Sequence, residues 1–500
     1  MNHTHSKLSM STLAAFSTLC LAAIAGLATG QPGTPRTTIA DLPMSEVSKA
    51  KILLDGDVAD WSQESAVTAD ANYLYFRFSF GDGTFTLQHA PKPVLVMVDI
   101  DADAKTGINP SASGLKTMGV DLQIEFSATA KKGVTASTVD STGKRTSINP
   151  YDLDVVVAPT VAAPWYEGRI SRNSPAIANL PMKGLRSSGK ATIAVGMANE
   201  QGKLSAYSDP ETITLSAAAK ASRGADALPP TKPKSAVRVM TWNIERSAPV
   251  KNPQPFRRVI QAVQPDVILF QEWEAGSATD VLAWMTQWIS SENEWHVIKA
   301  AGDLSAGGGV AVVSRFEVAP QLSSPPLGGE GGTPVRFVSA KVAAPFGDML
   351  VGSTHLKCCG FKDSPEDQKR LSEADTINKA FLFEGAPAYR VITGDMNLVG
   401  SMPPLERLAA GLDLDGSALM PASAKVLGDA TMVTWAKSGD AFAPGRLDYV
   451  LYSDASLEAI NSFIIDTRKL SDEALARLGL EREDSSASDH MPVVVDFQVK

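Results

Sequence analysis

The second half of the chain is organised around the stretch Val391-Ile-Thr-Gly-Asp-Met-Asn-Leu-Val-Gly400. Its apolar start, ended by Thr-Gly, is typical of a buried strand that runs into a loop. In α/β folds such loops carry ligands and catalytic groups. Asp395 can act as a base or a metal ligand, and Asn397 can donate to a phosphoryl oxygen. Alone these residues would make an ordinary turn, but similar strand ends recur in the same half.

Length and charge restrict the class of protein. A chain of 500 residues predicts at least two domains. The net charge is −9, and residues 237–500 hold 24 Lys and Arg against 34 Asp and Glu, a balance of −10. The rest of the chain is almost neutral. This distribution gives no basic nucleic-acid footprint.

Residues 1–30 are typical of a secretory signal peptide. A weakly basic start precedes an apolar stretch over 13–27, and Ala28-Thr29-Gly30 resembles a cleavage site. The apolar stretch is short for a membrane anchor, and no other stretch is apolar enough to cross a bilayer. We therefore expect a secreted or periplasmic protein with no transmembrane segment after cleavage. The mature chain would keep only Cys358 and Cys359, which excludes a disulfide framework.

Residues 45–217 predict an all-β sandwich domain. Strands are indicated at 72–80, 94–100, 120–126 and 151–157, separated by Gly, Pro, Asn and Asp clusters. The segment Ile52-Leu-Leu-Asp-Gly-Asp-Val-Ala-Asp-Trp61 and the aromatic strand after it resemble carbohydrate-binding family 9 and related DOMON-type sandwiches. The resemblance continues through Val98-Asp-Ile-Asp-Ala-Asp103, Thr106-Gly107 and Gly119-Val-Asp-Leu122. The resemblance implies contact with carbohydrate or a cell surface.

Three alternating carboxylates within this domain, Asp99, Asp101 and Asp103, suggest Ca²⁺, which takes hard oxygen ligands. An EF-hand is excluded, because Ala104 stands at its sixth position and Pro110 at its twelfth. The alternative is a solvated turn after a buried strand.

Residues 218–236 predict a Pro-rich linker that proteases should cut, leaving two folded pieces with the activity in the second. From residue 237 the pattern is α/β. Helices are indicated at 255–263, 281–289 and 365–383, and Ser364 and Pro365 are start signals for the last. Strands are indicated at 237–242, 267–270, 310–313, 335–342, 349–354, 391–393, 449–452 and 493–497.

Six strand ends or adjoining loops in 237–500 carry polar residues that suit phosphoryl transfer. Each residue alone has an ordinary structural explanation, but together they make one coherent site. They are Asn243, Glu272, His355, Asp395, Asn397, Asp448, Asp489 and His490.

The order Asn, Gln-Glu, Thr-His-Leu, Gly-Asp-Met-Asn, Arg-Leu-Asp-Tyr-Val, Ser-Asp-His resembles the endonuclease/exonuclease/phosphatase superfamily across 237–500. The resemblance implies a deoxyribonuclease-I-like α/β four-layer sandwich preceded by the all-β sandwich domain. It implies that Glu272 is the main metal ligand, with Asn243 and Asp489 completing the shell. Oxygen ligands suit Mg²⁺ or Mn²⁺, which neutralise a phosphodiester.

The remaining roles follow from the same resemblance. Asp395 is the base or water-positioning group, and Asn397 holds a phosphoryl oxygen. Asp448 orients His490, and His355 contacts the phosphate or assists the leaving group. Whether Asp395 or His490 takes the proton stays open. Arg370 and Trp435 are candidate substrate contacts, with a surface cation and a packed aromatic as the alternatives.

Three departures from the common pattern bear on the substrate. Gly307-Gly308-Gly309 stands where an Arg is usual, a Gly/Pro-rich stretch fills 323–334, and Lys357-Cys-Cys-Gly360 follows His355. The adjacent cysteines either form a strained vicinal disulfide or remain thiols.

The sequence thus predicts a secreted, metal-dependent phosphodiesterase acting on nucleic acid, an endo- or exonuclease. Two alternatives stay open: a phosphatase or sphingomyelinase-type enzyme acting on small or lipid phosphoesters, and an inactive surface-binding protein. Nothing in the sequence indicates the oligomeric state.

Overall fold

The computed structural model describes residues 6–8, 52–62, 65–79, 81–110, 112–127, 133–178, 185–199, 202–218, 227–323 and 326–500. The predicted signal peptide therefore lies outside the described residues except for Ser6–Leu8. Among the helices within these ranges, none combines the length and apolar character needed to cross a membrane.

The N-terminal half forms two mainly antiparallel sheets. One has the order β1-β11-β10-β4-β5-β6-β7, with β12 also on β10, and the other has the order β2-β3-β9-β8. The elements are β1 (Ser6–Leu8), β2 (Val67–Ala69), β3 (Tyr73–Ser79), β4 (Val94–Asp99), β5 (Leu122–Ser127), β6 (Gly133–Val139), β7 (Arg145–Ile148), β8 (Val156–Ala158), β9 (Trp165–Ser171), α1 (Pro175–Ala178), β10 (Gly189–Ala198), β11 (Leu204–Ser208) and β12 (Glu211–Leu215).

The aromatic strand β3 is buried on both faces, which explains its composition. Leu74, Phe76 and Phe78 point into the core between the two sheets. Tyr75 lies on the opposite face, in a core shared with the second half of the chain. Successive side chains of a strand point to opposite sides, so β3 joins the two halves. The strand predicted at 151–157 begins only at Val156, because the chain turns before it.

The second half forms two sheets of seven and six strands. Their orders are β15-β16-β14-β13-β27-β26-β24 and β17-β20-β21-β22-β25-β23, and β18 pairs with β19. The strands are β13 (Val237–Asn243), β14 (Val267–Gln271), β15 (His296–Lys299), β16 (Ala311–Ser314), β17 (Val318–Leu322), β18 (Leu327–Gly328), β19 (Pro334–Val335), β20 (Phe337–Ala344), β21 (Gly347–His355), β22 (Tyr389–Asp395), β23 (Met420–Pro421), β24 (Lys425–Val426), β25 (Asp448–Tyr452), β26 (Leu457–Ile464) and β27 (Val493–Val499).

Helices cover both outer faces of these sheets. They are α2 (Ala248–Lys251), α3 (Pro253–Val263), α4 (Ala278–Trp288), α5 (Pro365–Phe381), α6 (Pro403–Ala409) and α7 (Asp472–Leu478). Val239 and Val351 belong to the core between the sheets. Trp242 packs with α3 and α4, and Ile392 packs with α5 and α6. The four-layer α/β sandwich and the preceding β-sandwich are both confirmed, and the burial of both sheet faces explains the apolar strands.

The two halves share buried contacts. Ile52, Trp61 and Val156 pack into the core of the second half, and Ala443 packs into that of the first. Of the predicted linker, 219–226 lie outside the described residues, while Ala227 is buried against the second half. The linker itself stays a prediction.

The three carboxylates predicted to bind Ca²⁺ are not grouped together as a set, because Asp103 lies outside the group. The carboxylates whose oxygens lie within 4.8 Å of one another are those of Asp99, Asp101 and Asp121. Asp103 instead accepts a hydrogen bond from the backbone of Lys105 at 3.0 Å. Asp121 lies 18 residues after Asp103 in the sequence, immediately before β5. The pairing of β4 with β5 brings it beside Asp99 and the loop that carries Asp101.

Candidate active site

Strand direction gathers the predicted residues at one edge of the paired sheets. Asn243 and His355 are the last residues of β13 and β21, and Asp395 is the last of β22. β13 is parallel to β14, and β21 is parallel to β22. β25 and β27 run antiparallel to these strands, so Asp448 and His490, at or before their starts, lie at the same edge.

Asp395 is the centre of this cluster. Its Oδ2 accepts hydrogen bonds from Nδ2 of Asn243 at 3.1 Å and from Nδ2 of Asn397 at 3.0 Å. The Nε2 atoms of His355 and His490 lie 3.5 and 3.6 Å from the same oxygen. Burial raises the pKa of Asp395 to about 7, against the opposing charge of His490.

His490 lies between two carboxylates. Its Nδ1 is 2.8 Å from Oδ2 of Asp448, and its Nε2 faces Asp395. Burial disfavours the charged ring, but the two carboxylates outweigh it and raise the pKa of His490 to about 10. The ring is therefore a cation at neutral pH. Within the described residues, Oδ1 of Asp448 has no hydrogen-bond partner.

His355 has the opposite character. Its Nδ1 lies 3.4 Å from Nη1 of Arg336, which can only donate. Nδ1 is therefore the acceptor, and the ring proton sits on Nε2, facing Asp395 and Glu272. Burial and the charge of Arg336 hold the pKa of His355 well below its usual value. This histidine is a neutral donor.

Glu272 stands beside Asn243 in a strained backbone conformation. Its φ of 60° lies in the left-handed region, which non-glycine residues rarely adopt. Its Oε1 accepts from Nδ2 of Asn243 at 3.2 Å, and its Oε2 accepts from the backbone of Arg246 at 3.0 Å. Oδ1 of Asn243 accepts from the backbone of Glu245 at 3.1 Å. In this orientation Asn243 presents nitrogen to both carboxylates, so the carboxylate of Glu272 supplies the oxygens that suit a metal ion, while Oδ2 of Asp395 faces the two histidines.

Asp489 is held by a lysine that the sequence did not indicate. Nζ of Lys437 lies 3.2 Å from Oδ2 of Asp489 and 2.7 Å from Oε1 of Glu245. Half of the Lys437 side chain is exposed, so the ammonium group stands at the solvent side of the cluster. A lysine in a loop carries no sequence signal of this placement.

The two predicted substrate contacts have different outcomes. Arg370 is fully buried, and its Nη1 donates to the carbonyls of Lys357 and Cys359 at 2.8 and 2.7 Å. It thus shapes the loop after His355 and cannot reach a substrate. Trp435 is half-buried, and its backbone forms a bridge with His490, which leaves it beside the cluster.

Two further residues support the site. Arg336 immediately precedes β20, and in the sequence it stands out only as a single cation within an apolar run. Thr434 accepts hydrogen bonds through Oγ1 from the backbones of Leu447 and Asp448, at 2.8 and 2.9 Å. It carries no comparable signal, because its role depends on the fold around Asp448.

The cysteine pair lies in the loop that Arg370 braces. Both cysteines are free thiols, and their Sγ atoms are 2.9 Å apart. Cys359 has a φ of 71°, which turns both side chains to one side. The hydrogen bond from Cys359 and the charge of Lys357 lower the pKa of Cys358 to about 5.

These elements define a phosphoesterase site on a four-layer α/β sandwich. The sequence profile of the Endonuclease/Exonuclease/phosphatase family matches residues 240–490. The chain therefore belongs to this family of phosphoester hydrolases. The match leaves the N-terminal half unassigned, so its resemblance to carbohydrate-binding family 9 stays a prediction. No curated protein sequence matches the chain significantly.

Solved structures similar to the chain include three with different ligands or names. D. rerio TDP2 complexed with a single-strand DNA product is 13% identical over 53% of this chain and 100% of its own, with a TM-score of 0.36. Sphingomyelinase C from Streptomyces griseocarneus is 16% identical over 52% of this chain and 99% of its own, with a TM-score of 0.35. A beta toxin mutant from Staphylococcus aureus with bound magnesium ions is 14% identical over 53% of this chain and 100% of its own, with a TM-score of 0.35. Likenesses of this size leave the substrate open.

Proposed function

We propose that the protein is a divalent-metal-dependent phosphodiesterase, with nucleic acid as the first candidate substrate. The observation that carries the proposal is the position of Asp395, whose Oδ2 faces the protonated His490 and the neutral His355. A carboxylate so placed can accept a proton from an attacking water. His490 then faces the phosphoryl group as a cation, and His355 faces it as a neutral hydrogen-bond donor.

The metal belongs to the same proposal. Glu272 and Asp395 share one donor, Nδ2 of Asn243, so their oxygens lie close together. The carboxylate of Glu272, beside the proposed base Asp395, fits Mg²⁺ or Mn²⁺, which would neutralise the phosphodiester and stabilise charge on its oxygens. Asn243 and Asp489 remain proposed ligands. The first would have to turn its amide, and the second would have to leave Lys437.

Each side chain has a separate proposed task. Asp448 fixes the ring of His490 through Nδ1 and keeps it charged. Asn397 holds Asp395 through two hydrogen bonds, from its backbone at 2.9 Å and its side chain at 3.0 Å. The geometry therefore favours Asp395 as the base and His490 as the cation that stabilises charge on the phosphoryl group.

A second candidate function, hydrolysis of small or lipid phosphoesters, is favoured by the small number of free basic side chains around the site. A protein that grips nucleic acid needs several free Lys and Arg side chains. Arg370 is buried, and Nζ of Lys362 donates to the carbonyl of Gly83 at 3.1 Å. Nζ of Lys357 donates to Sγ of Cys358 at 3.6 Å. This leaves Lys369 near the loop, so few phosphates can be held. A nuclease of this kind would act distributively, with a shallow salt dependence.

The test is a substrate panel with a matched pair of variants. The panel holds single- and double-stranded DNA, RNA, sphingomyelin, inositol phosphates and a phosphomonoester, each at low and moderate salt with Mg²⁺ or Mn²⁺. We expect Glu272→Gln to lose at least about 100-fold in kcat and Glu274→Gln, two residues away, to retain activity. EDTA should abolish turnover.

The outcomes separate the candidates. Cleavage of DNA or RNA with a shallow salt dependence supports the nuclease, and turnover of a lipid or monoester alone supports the second function. No turnover of any substrate supports an inactive binding protein, and activity in excess chelator contradicts the metal proposal. Secretion and carbohydrate contact by the N-terminal half remain proposals to be tested separately.

A further inference from the structure

A cluster of three carboxylates lies in the N-terminal domain, apart from the residues of the proposed active site. Asp99 ends β4, Asp101 lies in the following loop, and Asp121 immediately precedes β5. One oxygen from each lies within 4.8 Å of the other two. Asp99 and Asp121 are completely buried. Three carboxylates this close repel one another strongly in a buried setting.

One oxygen of the cluster lacks the partner that burial requires. Oδ2 of Asp121 accepts a hydrogen bond from the backbone of Ile100 at 3.0 Å. Its Oδ1 is buried and, within the described part of the chain, has no hydrogen-bond partner. Buried polar atoms without a partner are rare and cost about 1–3 kcal/mol. The orphaned oxygen therefore points to a ligand.

The loop that follows β4 closes over this oxygen. A Cβ placed on Gly107 would lie 2.6 Å from Oδ1 of Asp121, so the backbone there runs against the carboxylate. Oδ1 of Asp101 accepts a hydrogen bond from Oγ1 of Thr106 at 2.9 Å, which holds the Asp101 side chain toward the same loop. The turn around Gly107 thus lies against the carboxylate of Asp121, and Thr106 of the same turn holds the carboxylate of Asp101.

We propose that Asp99, Asp101 and Asp121 bind a hard divalent cation, Ca²⁺, in the N-terminal domain. A cation relieves the repulsion of the carboxylates and gives Oδ1 of Asp121 its partner. All three donors are oxygens, which excludes a site built for a soft metal. Ca²⁺ takes six to eight oxygen ligands at about 2.3–2.6 Å in irregular arrangements, so ligands on opposite sides of it are about 4.8 Å apart. The bound ion fastens the loop between β4 and β5.

The proposal separates the roles of Asp121 and Asp103. Asp103 is close in sequence but contributes no oxygen to the cluster, whereas Asp121 is distant in sequence and central in space. Asp103→Asn is therefore a matched control for Asp121→Asn. The amide oxygen of the latter can still accept from Ile100, so the variant should fold.

The experiment measures thermal unfolding and calorimetric Ca²⁺ binding of the full chain after removal of metals with EDTA. Every variant also carries Glu272→Gln, which removes the main proposed ligand of the active site. We expect Ca²⁺ to raise Tm in the parent and in Asp103→Asn, and binding to weaken at least about 10-fold in Asp101→Asn and Asp121→Asn. Without Ca²⁺, Asp121→Asn should unfold at the same or a higher temperature than the parent, because one repelling charge is gone.

Three results would overturn the proposal. The first is a parent chain that does not respond to Ca²⁺. The second is an Asp121→Asn variant that binds Ca²⁺ as tightly as the parent. The third is a larger rise in Tm with Mg²⁺ than with Ca²⁺ at equal concentration. The readouts need no catalytic turnover, so the Ca²⁺ proposal can fail while the phosphodiesterase function holds. The phosphodiesterase function can likewise fail while the Ca²⁺ proposal holds.

Discussion

At the scale of single residues, the protonation of the site depends on Asp448. Its carboxylate holds Nδ1 of His490 at 2.8 Å, and this contact keeps the second nitrogen, Nε2, protonated and directed at Asp395. Removing the charge of Asp448 should therefore change both the activity and its pH dependence.

We expect Asp448→Asn to lower kcat/KM at least about 100-fold and to move the alkaline limb of the pH profile to lower pH. The sign follows from the proposed role: His490 works as a cation, so activity is lost as pH rises through its pKa. Asp448 helps raise that pKa to about 10, and the variant lowers it. Asp415→Asn, on an exposed turn, is the control. An unmoved alkaline limb would contradict the role of the Asp448–His490 pair.

The cysteine pair gives a second residue-scale prediction. Adjacent Cα atoms lie about 3.8 Å apart, below the usual 4.4–6.8 Å or so of a disulfide, so we expect the thiols to stay reduced. With its pKa lowered to about 5, Cys358 should alkylate before Cys359 at pH 7. Intact mass and peptide mapping after limited iodoacetamide treatment measure this, with Cys358→Ser as control. A mass lower by two protons that returns on reduction would show a disulfide instead.

The polar strand ends could be predicted from the sequence, and their structural neighbours could not. Asp395 and His490 interrupt apolar runs, so their placement follows from strand periodicity. Arg370 shows the limit: its charge suggests the surface, but its position in α5 buries it against two carbonyls. Asp121 shows the same limit, because its neighbours come from another segment.

At the scale of elements, the loop 437–443 belongs to both halves of the molecule. The OH of Tyr151 accepts from the backbone of Lys437 and donates to the carbonyl of Phe442, both at 3.0 Å. The backbone of Val134 donates to the carbonyl of Ala441 at 2.7 Å. The N-terminal domain thus holds the loop that carries Lys437 to Asp489. No periodic pattern predicts such a loop, because its conformation depends on a partner domain.

We expect Tyr151→Phe to lower kcat/KM by about 5- to 30-fold, the equivalent of one or two hydrogen bonds at about 1 kcal/mol each. The loss should appear mainly in KM, since Lys437 stands at the solvent side of the site. Lys437→Met should have an equal or larger effect. Tyr389→Phe, at the far end of β22 from Asp395, is the control. Unchanged kinetics in both Tyr151→Phe and Lys437→Met would mean that the loop does not serve the site.

At the scale of the whole molecule, a buried ion pair joins the two halves. Arg169 of β9 pairs with Asp429 of the second half through its two terminal nitrogens, Nη1 and Nη2, and neither residue is appreciably exposed. Nζ of Lys469 lies 2.7 Å from Oδ2 of Asp154 beside them, and Arg169 stacks 3.8 Å from the ring centre of Tyr73. The sequence indicates two domains. It does not indicate which charged residues pair between them, because these residues are distant in the sequence and meet only when the two domains pack together.

This interface changes what cleavage of the linker should produce. Cutting within 219–226 should leave two pieces that stay bound and elute together in gel filtration, because Trp61 and Val156 remain in the core of the second half. Arg169→Ala removes the two hydrogen bonds of Arg169 to the buried Asp429 and leaves it only Lys469, whose Nζ lies 3.5 Å from Oδ2. This loss costs up to about 3–5 kcal/mol and should let the cut pieces separate. Arg145→Ala, on exposed β7, is the control and should elute as the uncut protein does. Pieces that separate without any substitution, with activity kept in the second, would show that the catalytic half stands alone and that the N-terminal domain is only tethered to it.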